Sequence, residues 1–206
     1  MAGQVLLLHG VLNPRWWMAP LAGQLRRQGF DAHTFGYYGA LAGPDAAVEA
    51  LRRRLRHADA PVALVGHSLG GLVALEALRR EPGLPVDRVV CLGSPLRGSR
   101  VACAVAGAQW CGWALGRSAP LLMRGLDAWS GGAAVGMVAG SVPRGIGRLF
   151  AEPGGPSDGT VALEETRLDG LADHCVVPAS HSGLAFSPQA ARQTLAFLRH
   201  GRFQAG

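Results

Sequence analysis

The chain has 206 residues, which is enough to bury one complete hydrophobic core, so we expect a single domain over residues 1–206. Hydrophobic residues make up 49% of the chain, but no uninterrupted apolar run reaches the length that a membrane-spanning helix requires. The net charge is +6, and all 20 basic residues are arginine. No aromatic residues interleave with the arginine run at residues 52–56, which argues against nucleic-acid binding.

The cysteines bear on whether the chain has a metal site, and the first residues bear on whether it is secreted. The four cysteines form no CxxC pair and no metal-ligand spacing with histidine, so we expect unreactive thiols and no metal site. The first four residues carry no basic segment and run directly into an apolar stretch, which is not typical of a secretory signal. We therefore expect a cytoplasmic protein.

Apolar runs and helical patterns alternate along the chain. The predicted strands are residues 5–9, 30–38, 61–65, 86–92, 135–139 and 174–177. The predicted helices are residues 16–28, 46–57, 69–80 and 188–199. Short connections between them indicate βαβ units, so we predict an α/β fold with a mostly parallel central sheet of about six strands and helices on both faces.

Two segments allow more than one interpretation. The run of arginines at residues 52–56 lies in a helical pattern and indicates a solvated face, with contact to an anionic membrane surface as the alternative. Residues 99–133 are rich in Ala and Gly and contain Trp110, Trp113 and Trp129. This apolar segment is either a buried helical region or a small lid or membrane-facing surface.

Residues 66–71, Gly-His-Ser-Leu-Gly-Gly, match the pattern G-x-S-x-G directly between a predicted strand and a predicted helix. A serine in such a turn adopts an unfavourable backbone conformation, and side chains two positions away on either side would collide. The turn places the Ser68 hydroxyl above the sheet at a helix N-terminus, where developing negative charge is stabilised. Ser68 is therefore the candidate nucleophile.

Such a nucleophile needs two backbone N–H groups directed at the oxyanion of the tetrahedral intermediate. Leu69, which follows Ser68, supplies the first in this interpretation. Val11, after the His9-Gly10 turn that ends the first strand, supplies the second, and an ordinary strand-end turn is the alternative. We expect His9 itself to be a hydrogen-bonded structural residue.

Ser68 also requires a base, and a carboxylate to orient that base, in the chain order Ser, Asp or Glu, His. His181 follows the sixth strand, at the carboxyl end where catalytic groups gather, whereas His174 begins that strand. Asp158 lies in a glycine-containing loop after the fifth strand, so we predict Asp158 as the acid and Asp169 as the second choice. Glu164 and Glu165 are interpreted as helix or surface charges.

Aromatic residues follow the first two strands at their carboxyl ends. We predict that Trp16, Trp17 and Tyr37 face the mouth of the site and form an apolar acyl pocket. The alternative for the two tryptophans is that they pack their helix against the sheet.

With these residues placed, the chain resembles the small bacterial lipases and esterases of the α/β-hydrolase family. The resemblance covers roughly residues 5–203 and lies in five segments in the family's order: residues 8–10, 66–70, 92–95, 157–161 and 180–183. It implies a compact hydrolase core, no metal, no organic cofactor and an acyl-serine intermediate on Ser68. The segment at 99–133 matches nothing in the resemblance.

The combined prediction is a serine hydrolase acting on a small-molecule carboxylic ester, with a lipid or medium-chain acyl group preferred. Two other classes stay open. One is a thioesterase or acyltransferase that uses the same residues on another leaving group or acceptor. The other is a non-catalytic interaction protein that retains the fold, although a binding module has no physical need for Ser68, Asp158 and His181 together.

Overall fold

The computed structural model describes residues 3–11, 13–37, 43–107, 115–145 and 155–204. Six strands of the described residues form one sheet in the order β2-β1-β3-β4-β5-β6, and each strand runs parallel to its neighbours. The strands are β1 (Gln4–Leu8), β2 (Asp31–Phe35), β3 (Val62–His67), β4 (Arg88–Leu92), β5 (Ala134–Gly140) and β6 (Asp173–Val177). The predicted α/β fold with six strands is confirmed.

Helices follow the strands, as parallel pairing requires. The α-helices are α1 (Ala19–Arg27), α2 (Pro44–Arg56), α3 (Leu69–Arg80), α4 (Arg100–Gly107), α5 (Ala119–Arg124) and α6 (Pro188–His200). Short 3₁₀ helices occupy Arg15–Met18, Gly116–Ser118, Glu164–Thr166 and Ser182–Ala185. Within the described residues, no helix combines the length and the apolar character needed to cross a bilayer.

The sheet is covered on both faces because successive residues of a strand point to opposite sides. In β1, Val5 and Leu7 pack with α1 and α6, whereas Leu6 and Leu8 pack with α2 and α3. Leu121 and Leu122 of α5 are buried in the second of these clusters, as is Trp129, whose indole N–H donates to the Ala133 carbonyl at 2.9 Å. These residues of the 99–133 segment are core residues; Trp110 and Trp113 lie outside the described residues.

Two predicted boundaries differ from the structure. The single helix predicted at residues 16–28 is a 3₁₀ turn followed by α1, with Pro20 in the first turn of α1. Pro20 has no N–H to donate to Trp16, so one continuous α-helix cannot pass through this point without losing that bond. The strand predicted at residues 30–38 is shorter, and Tyr37 lies beyond its end.

Part of the arginine-rich face of α2 is neutralised within the chain. Arg52 and Arg56 each form ion pairs with Glu49 and with Glu81, which follows α3; the bond from Arg52 Nε to Glu81 is 2.8 Å long. Arg53 and Arg54 are exposed. The face therefore has less uncompensated positive charge than the sequence alone indicates.

Candidate active site

The carboxyl ends of the parallel strands lie along one edge of the sheet. β2 lies on one side of β1 and β3 on the other, so the order of the strands reverses between β1 and β3. In open α/β sheets, ligands bind in the crevice at such a switch point, outside the carboxyl ends of the strands. The loops after β1 and β3 border this crevice, and those after β4, β5 and β6 continue along the same edge.

Ser68 lies between β3 and α3 in a strained turn. Its φ of 54° is the only positive value among the described residues other than glycine. A methyl group on Gly66 would lie 2.3 Å from the Gly71 nitrogen, and one on Gly70 would lie 2.5 Å from the Leu8 carbonyl oxygen. These close approaches explain why glycine occupies both positions around the serine.

The loop after β1 lies directly beside Ser68. A methyl group on Gly10 would be 3.4 Å from Cβ of Ser68 and 2.7 Å from the Asn13 side-chain oxygen. The Gly10 carbonyl accepts hydrogen bonds from the Asn13 N–H at 3.3 Å and from Nδ1 of His9 at 2.8 Å. Because the Val11 N–H belongs to the same trans peptide, it points opposite to this fixed carbonyl.

Leu69 is the first residue of α3, so its N–H has no partner within the helix. The helix dipole places partial positive charge at the same point. Of the two predicted oxyanion donors, Val11 therefore lies on the loop beside Ser68 and Leu69 lies at the N-terminus of α3, directly after Ser68. Their role in holding an oxyanion stays a prediction.

His9 is held as a neutral structural histidine, as expected from the sequence. Burial lowers its pKa. Its Nδ1 faces the Gly10 carbonyl and therefore carries the proton, while Nε2 accepts from the Tyr37 backbone N–H at 3.4 Å. Tyr37 stacks on the imidazole with ring centroids 4.3 Å apart, and its hydroxyl donates to the His9 carbonyl. Tyr37 thus supports the loop after β1, which carries His9, Gly10 and Val11.

The structure brings Asp158 and His181 together. Nδ1 of His181 donates to Oδ2 of Asp158 at 2.7 Å. The Asp158 side chain is 1% exposed and the His181 side chain is 11% exposed. In a neutral imidazole, a proton on Nδ1 leaves Nε2 as the nitrogen that can accept one. This is the tautomer that a general base for Ser68 requires.

The Asp158 loop fixes the carboxylate before it meets His181. The second oxygen, Oδ1, accepts from the backbone N–H groups of Thr160 at 2.9 Å and Val161 at 2.8 Å. Gly159 has a φ of 94°, and a methyl group on it would lie 2.5 Å from the Arg144 carbonyl oxygen. Three hydrogen bonds thus hold the Asp158 carboxylate, and glycine is required in the turn that follows it.

Asp169 does not contribute to this pair. It lies in an isolated parallel bridge with Ala128, before β6, and its carbonyl accepts from the Trp129 N–H at 2.8 Å. His174 lies in β6 with Nε2 2.9 Å from the Thr166 hydroxyl. Both residues belong to the packing around the start of β6.

Gly93, directly after β4, makes room for the Asp158–His181 pair. It has a φ of 56°, and a methyl group there would lie 2.7 Å from Leu184 Cδ1, 3.0 Å from Asp158 Oδ2 and 3.3 Å from His181 Nδ1. In the sequence, Gly93 is part of the resemblance at residues 92–95, but only the structure shows that it lies against the pair.

His67 is a further residue that sequence reasoning did not assign. It is fully buried, and its Nε2 lies 2.9 Å from the His181 carbonyl oxygen. Burial lowers the pKa of His67 to about 3, and the charge of His181 contributes in the same direction. Its position before Ser68 in the motif is the signal that was available in the sequence.

Glu165 lies in the 3₁₀ helix Glu164–Thr166, in agreement with the expectation of a helix charge, but it is not a surface charge. It is buried, and its carboxylate accepts from the Arg100 N–H at the start of α4 at 2.7 Å and from the Ala162 N–H at 2.9 Å. Burial raises its pKa, and the two hydrogen bonds oppose that shift. Glu165 therefore joins α4 to the loop that carries Asp158.

The predicted substrate residues Trp16 and Trp17 differ in their environment. Trp16 is 63% exposed, whereas Trp17 is half-buried and meets Phe186 edge to face, with ring centroids 5.0 Å apart. Phe186 is 45% exposed and follows the short helix that begins after His181. We call Trp16, Trp17 and Phe186 the aromatic patch.

No group of three or more potential metal ligands occurs in the described parts of the chain. Cys91 is buried, which raises the pKa of its thiol to about 12, whereas Cys103 is exposed. Cys111 lies outside the described residues.

Solved structures similar to this chain have the same fold at low sequence identity. The mature lipase BlEst2 of Bacillus licheniformis has a TM-score of 0.74 at 19% identity, covering 96% of this chain and 91% of that one. The product of the gene lin2722 of Listeria innocua has a TM-score of 0.66 at 17% identity, covering 100% of this chain and 96% of that one. The phospholipase PlaB of Legionella pneumophila has a TM-score of 0.69 at 15% identity, covering 94% of this chain and 56% of that one.

No curated protein matches this chain by sequence. The family model described as serine aminopeptidase, S33, matches residues 1–127, a segment that contains the turn around Ser68 and ends before Asp158. The fold, this match and the bacterial lipases among the structural neighbours confirm the resemblance that the sequence motifs indicated. The chain belongs to the α/β hydrolases of the family described as serine aminopeptidase, S33.

Proposed function

We propose that this protein is a serine hydrolase that cleaves carboxylic esters through an acyl-serine intermediate on Ser68. One observation carries the proposal: a strained serine at a helix N-terminus lies on the same sheet edge as a buried aspartate–histidine pair in the base-competent tautomer. Backbone strain of this kind costs about 1–3 kcal/mol and persists where it serves a function.

In the proposed reaction, Nε2 of His181 takes the Ser68 proton while the serine oxygen attacks the ester carbonyl carbon. The carbonyl oxygen becomes an oxyanion, which the N–H groups of Val11 and Leu69 stabilise. His181 then protonates the leaving alcohol, and the acyl group stays on Ser68. Asp158 remains ionised throughout and stabilises the imidazolium.

A water molecule completes the cycle. His181 removes a proton from this water, which attacks the acyl-serine carbonyl. As the second tetrahedral intermediate collapses to the free acid, the bond to the Ser68 oxygen breaks and His181 returns its proton to that oxygen. The same two backbone donors serve both intermediates. No step in this scheme requires a metal or an organic cofactor.

The aromatic patch favours an ester with an apolar acyl group. Trp16 and Phe186 expose large apolar surface close in the chain to the oxyanion loop and to His181, respectively. Apolar side chains near the mouth of a pocket gain free energy by covering an acyl chain. The structural neighbours described as a lipase and a phospholipase have the same fold, which adds weight to a lipid or medium-chain acyl ester.

The proposal is tested by hydrolysis of p-nitrophenyl esters from acetate to palmitate. We expect turnover by the wild type, with an optimum at medium or long chains, and a loss of about 10⁴-fold or more in Ser68→Ala. The exposed Ser130 provides a matched control, and Ser130→Ala should keep wild-type rates.

Equal turnover by wild type and Ser68→Ala would overturn the proposal. Turnover only with acyl thioesters would replace it with the thioesterase alternative. Absence of turnover with both substrate classes, together with no covalent labelling of Ser68 by a fluorophosphonate, would identify a protein that uses this fold for binding.

A further inference from the structure

We propose that His67 is a positioning residue that holds the His181 backbone in place, by donating a hydrogen bond from Nε2 to the His181 carbonyl. The inference rests on the proposed function, because it concerns how the base is presented to the nucleophile. It assigns a role to a residue that contacts neither the ester nor the reacting atoms in the scheme above.

The hydrogen bonds of His181 provide the first argument. Its backbone N–H donates to the Asp158 carbonyl at 2.9 Å, and its Nδ1 donates to the Asp158 carboxylate at 2.7 Å. Its carbonyl accepts from Nε2 of His67 at 2.9 Å. The backbone of His181 is therefore fixed at both its donor and its acceptor, and Asp158 alone accounts for only one side of this clamp.

The place of His67 in the chain provides the second argument. It is the last residue of β3 and directly precedes Ser68, whose N–H donates to the Leu92 carbonyl at 2.9 Å. A side chain at this position connects the nucleophile turn to the base loop by one rigid ring. The two imidazole rings are tilted against each other with centroids 4.9 Å apart, so a shift of either loop changes this contact directly.

The hydrogen-bonding partners of the ring identify its protonation state. A carbonyl oxygen can only accept, so Nε2 of His67 carries the proton. Nδ1 is buried and, among the described residues, has no hydrogen-bond partner; a methyl group on Gly10 would lie 3.3 Å from it. An imidazolium would place a second N–H in this closed space without an acceptor, which is unfavourable.

The charged groups around the ring agree with a neutral His67. His181 and His9 disfavour a positive charge on it, while Asp158 favours one, and burial outweighs the aspartate. Neutrality suits the proposed reaction, because a cation at His67 would oppose the imidazolium that forms on His181 in the transition state. The ring can thus position the base without competing for its proton.

The test is a comparison of His67→Gln with His67→Met, with the exposed His57→Gln as the control. Glutamine can present an N–H near the position of Nε2, whereas methionine fills similar volume with no donor. We expect kcat for an ester substrate to fall about 10- to 100-fold in His67→Met, because small displacements of a catalytic group cost about that much. His67→Gln should stay within about 5-fold of wild type, and KM should change little in either variant.

Two further readouts separate positioning from a merely structural role. The rate of Ser68 phosphonylation by a fluorophosphonate should fall in parallel with kcat, and the acid limb of the pH profile should keep its position and its single ionisation in His67→Gln. Equal losses in the glutamine and methionine variants, or no loss in His67→Met, would overturn the proposal. A second ionisation that disappears in His67→Gln would do the same.

The imidazole tautomer in the wild type provides a test that needs neither activity nor a folded variant. Nitrogen NMR of ¹⁵N-histidine-labelled protein should show His67 with a protonated Nε2 and a bare Nδ1 between about pH 5 and 8. An imidazolium, or the opposite tautomer, in this range would overturn the inference. If the wild type shows neither turnover nor labelling, the proposed function fails, and the NMR result still decides whether His67 is neutral with the proton on Nε2, as the bond to the His181 carbonyl requires.

Discussion

At the scale of single residues, the candidate site depends on where protons are held. Three neighbouring histidines divide between the two imidazole tautomers, and in each the tautomer is set by a facing group that can only accept. His9 and His181 carry the proton on Nδ1 because they face the Gly10 carbonyl and the Asp158 carboxylate, whereas His67 carries it on Nε2 because it faces a carbonyl. Only in His181 does the remaining nitrogen serve as the candidate base.

Asp158→Asn tests this account of the tautomers. The N–H groups of Thr160 and Val161 would hold the amide oxygen at the position of Oδ1, so the amide N–H₂ would face Nδ1 of His181. The base tautomer and the imidazolium would then both lose their hydrogen-bond acceptor. We expect kcat for a p-nitrophenyl ester to fall by about 10³- to 10⁴-fold, with the protein still folded. Asp169→Asn, at the second candidate acid, should leave kcat unchanged; the opposite result for the two variants would contradict the assignment of the acid.

Gly93→Ala tests the space around the Asp158–His181 pair. The added methyl group would lie 2.7 Å from Leu184 Cδ1 and 3.0 Å from Asp158 Oδ2, in a backbone conformation that L-residues rarely adopt. We expect activity to fall by at least about 100-fold, because the pair must move to make room. Gly83→Ala is the control, since nothing lies within 4 Å of its added methyl group; an active Gly93→Ala enzyme would contradict the geometry.

The sequence predicted the pairing of Asp158 with His181 because both residues lie in loops that follow predicted strands. A glycine follows each of them within two positions in the chain. Their catalytic roles stay predictions. The burial of Glu165 and the bond from His67 to His181 were not predictable, because both depend on which loops meet above the sheet. The position of His67 next to Ser68 indicates that it lies near the site but not which group its ring contacts, and no neighbour of Glu165 in the sequence indicates its partners.

At the scale of elements, the central strands were predictable and the edges less so. β3 and β4 are short runs rich in Val and Leu, buried on both faces, and such runs are typical of parallel strands. β2 and β6 lie at the sheet edges and contain exposed residues, so their hydrophobic pattern is weaker and the end of β2 was predicted too far along the chain. α4 and α5 lie in a segment whose Ala- and Gly-rich composition gave no clear helical period.

Glu165→Ala tests the link between α4 and the Asp158 loop. Removal of the carboxylate leaves the N–H groups of Arg100 and Ala162 without their partner, and each unsatisfied group costs about 1–3 kcal/mol. We expect the free energy of unfolding to fall by about 2 kcal/mol or more and Tm by roughly 4–8 °C. Thermal unfolding followed by circular dichroism measures this change.

The neighbouring Glu164 is the matched control because it is exposed. Glu164→Ala should leave Tm within about 1 °C of wild type, as expected for a surface substitution. Equal Tm values for the two variants would contradict the proposed link through Glu165.

At the scale of the whole molecule, buried histidines predict a loss of stability in acid. Burial lowers the pKa of His9, His67 and His174, so the unfolded chain binds protons at these positions below about pH 6.5 when the folded chain does not. Hydrogen bonds from Arg79 and Arg80 lower the pKa of Glu76 to about 2, which adds a further loss between about pH 4.5 and 2. Glu165 opposes this trend. Burial raises its pKa, so on acidification the folded chain binds a proton at this carboxyl before the unfolded chain does.

We therefore expect the free energy of unfolding to fall continuously as pH is lowered from about 6.5, because the unfolded state binds more protons. Denaturant titrations at pH 7, 6, 5 and 4 measure this slope. His67→Gln removes one of the groups that titrate, so the slope of the free energy of unfolding against pH should fall by up to about 1.4 kcal/mol per pH unit. His57→Gln, at an exposed histidine, is the control and should leave the slope unchanged. A free energy of unfolding that is constant down to about pH 5 would contradict the buried neutral histidines.

The proposed function depends most on Ser68 as the nucleophile and on His181 as the base that activates it. The most direct measurement is peptide mass mapping after reaction with a fluorophosphonate, for wild type, Ser68→Ala and His181→Ala. We expect one phosphonyl adduct in the wild type, on the peptide containing Ser68, and none in Ser68→Ala. Labelling should slow by about 10³-fold or more in His181→Ala. An adduct on a different serine, or no adduct in the wild type under conditions that label a known serine esterase, would contradict it.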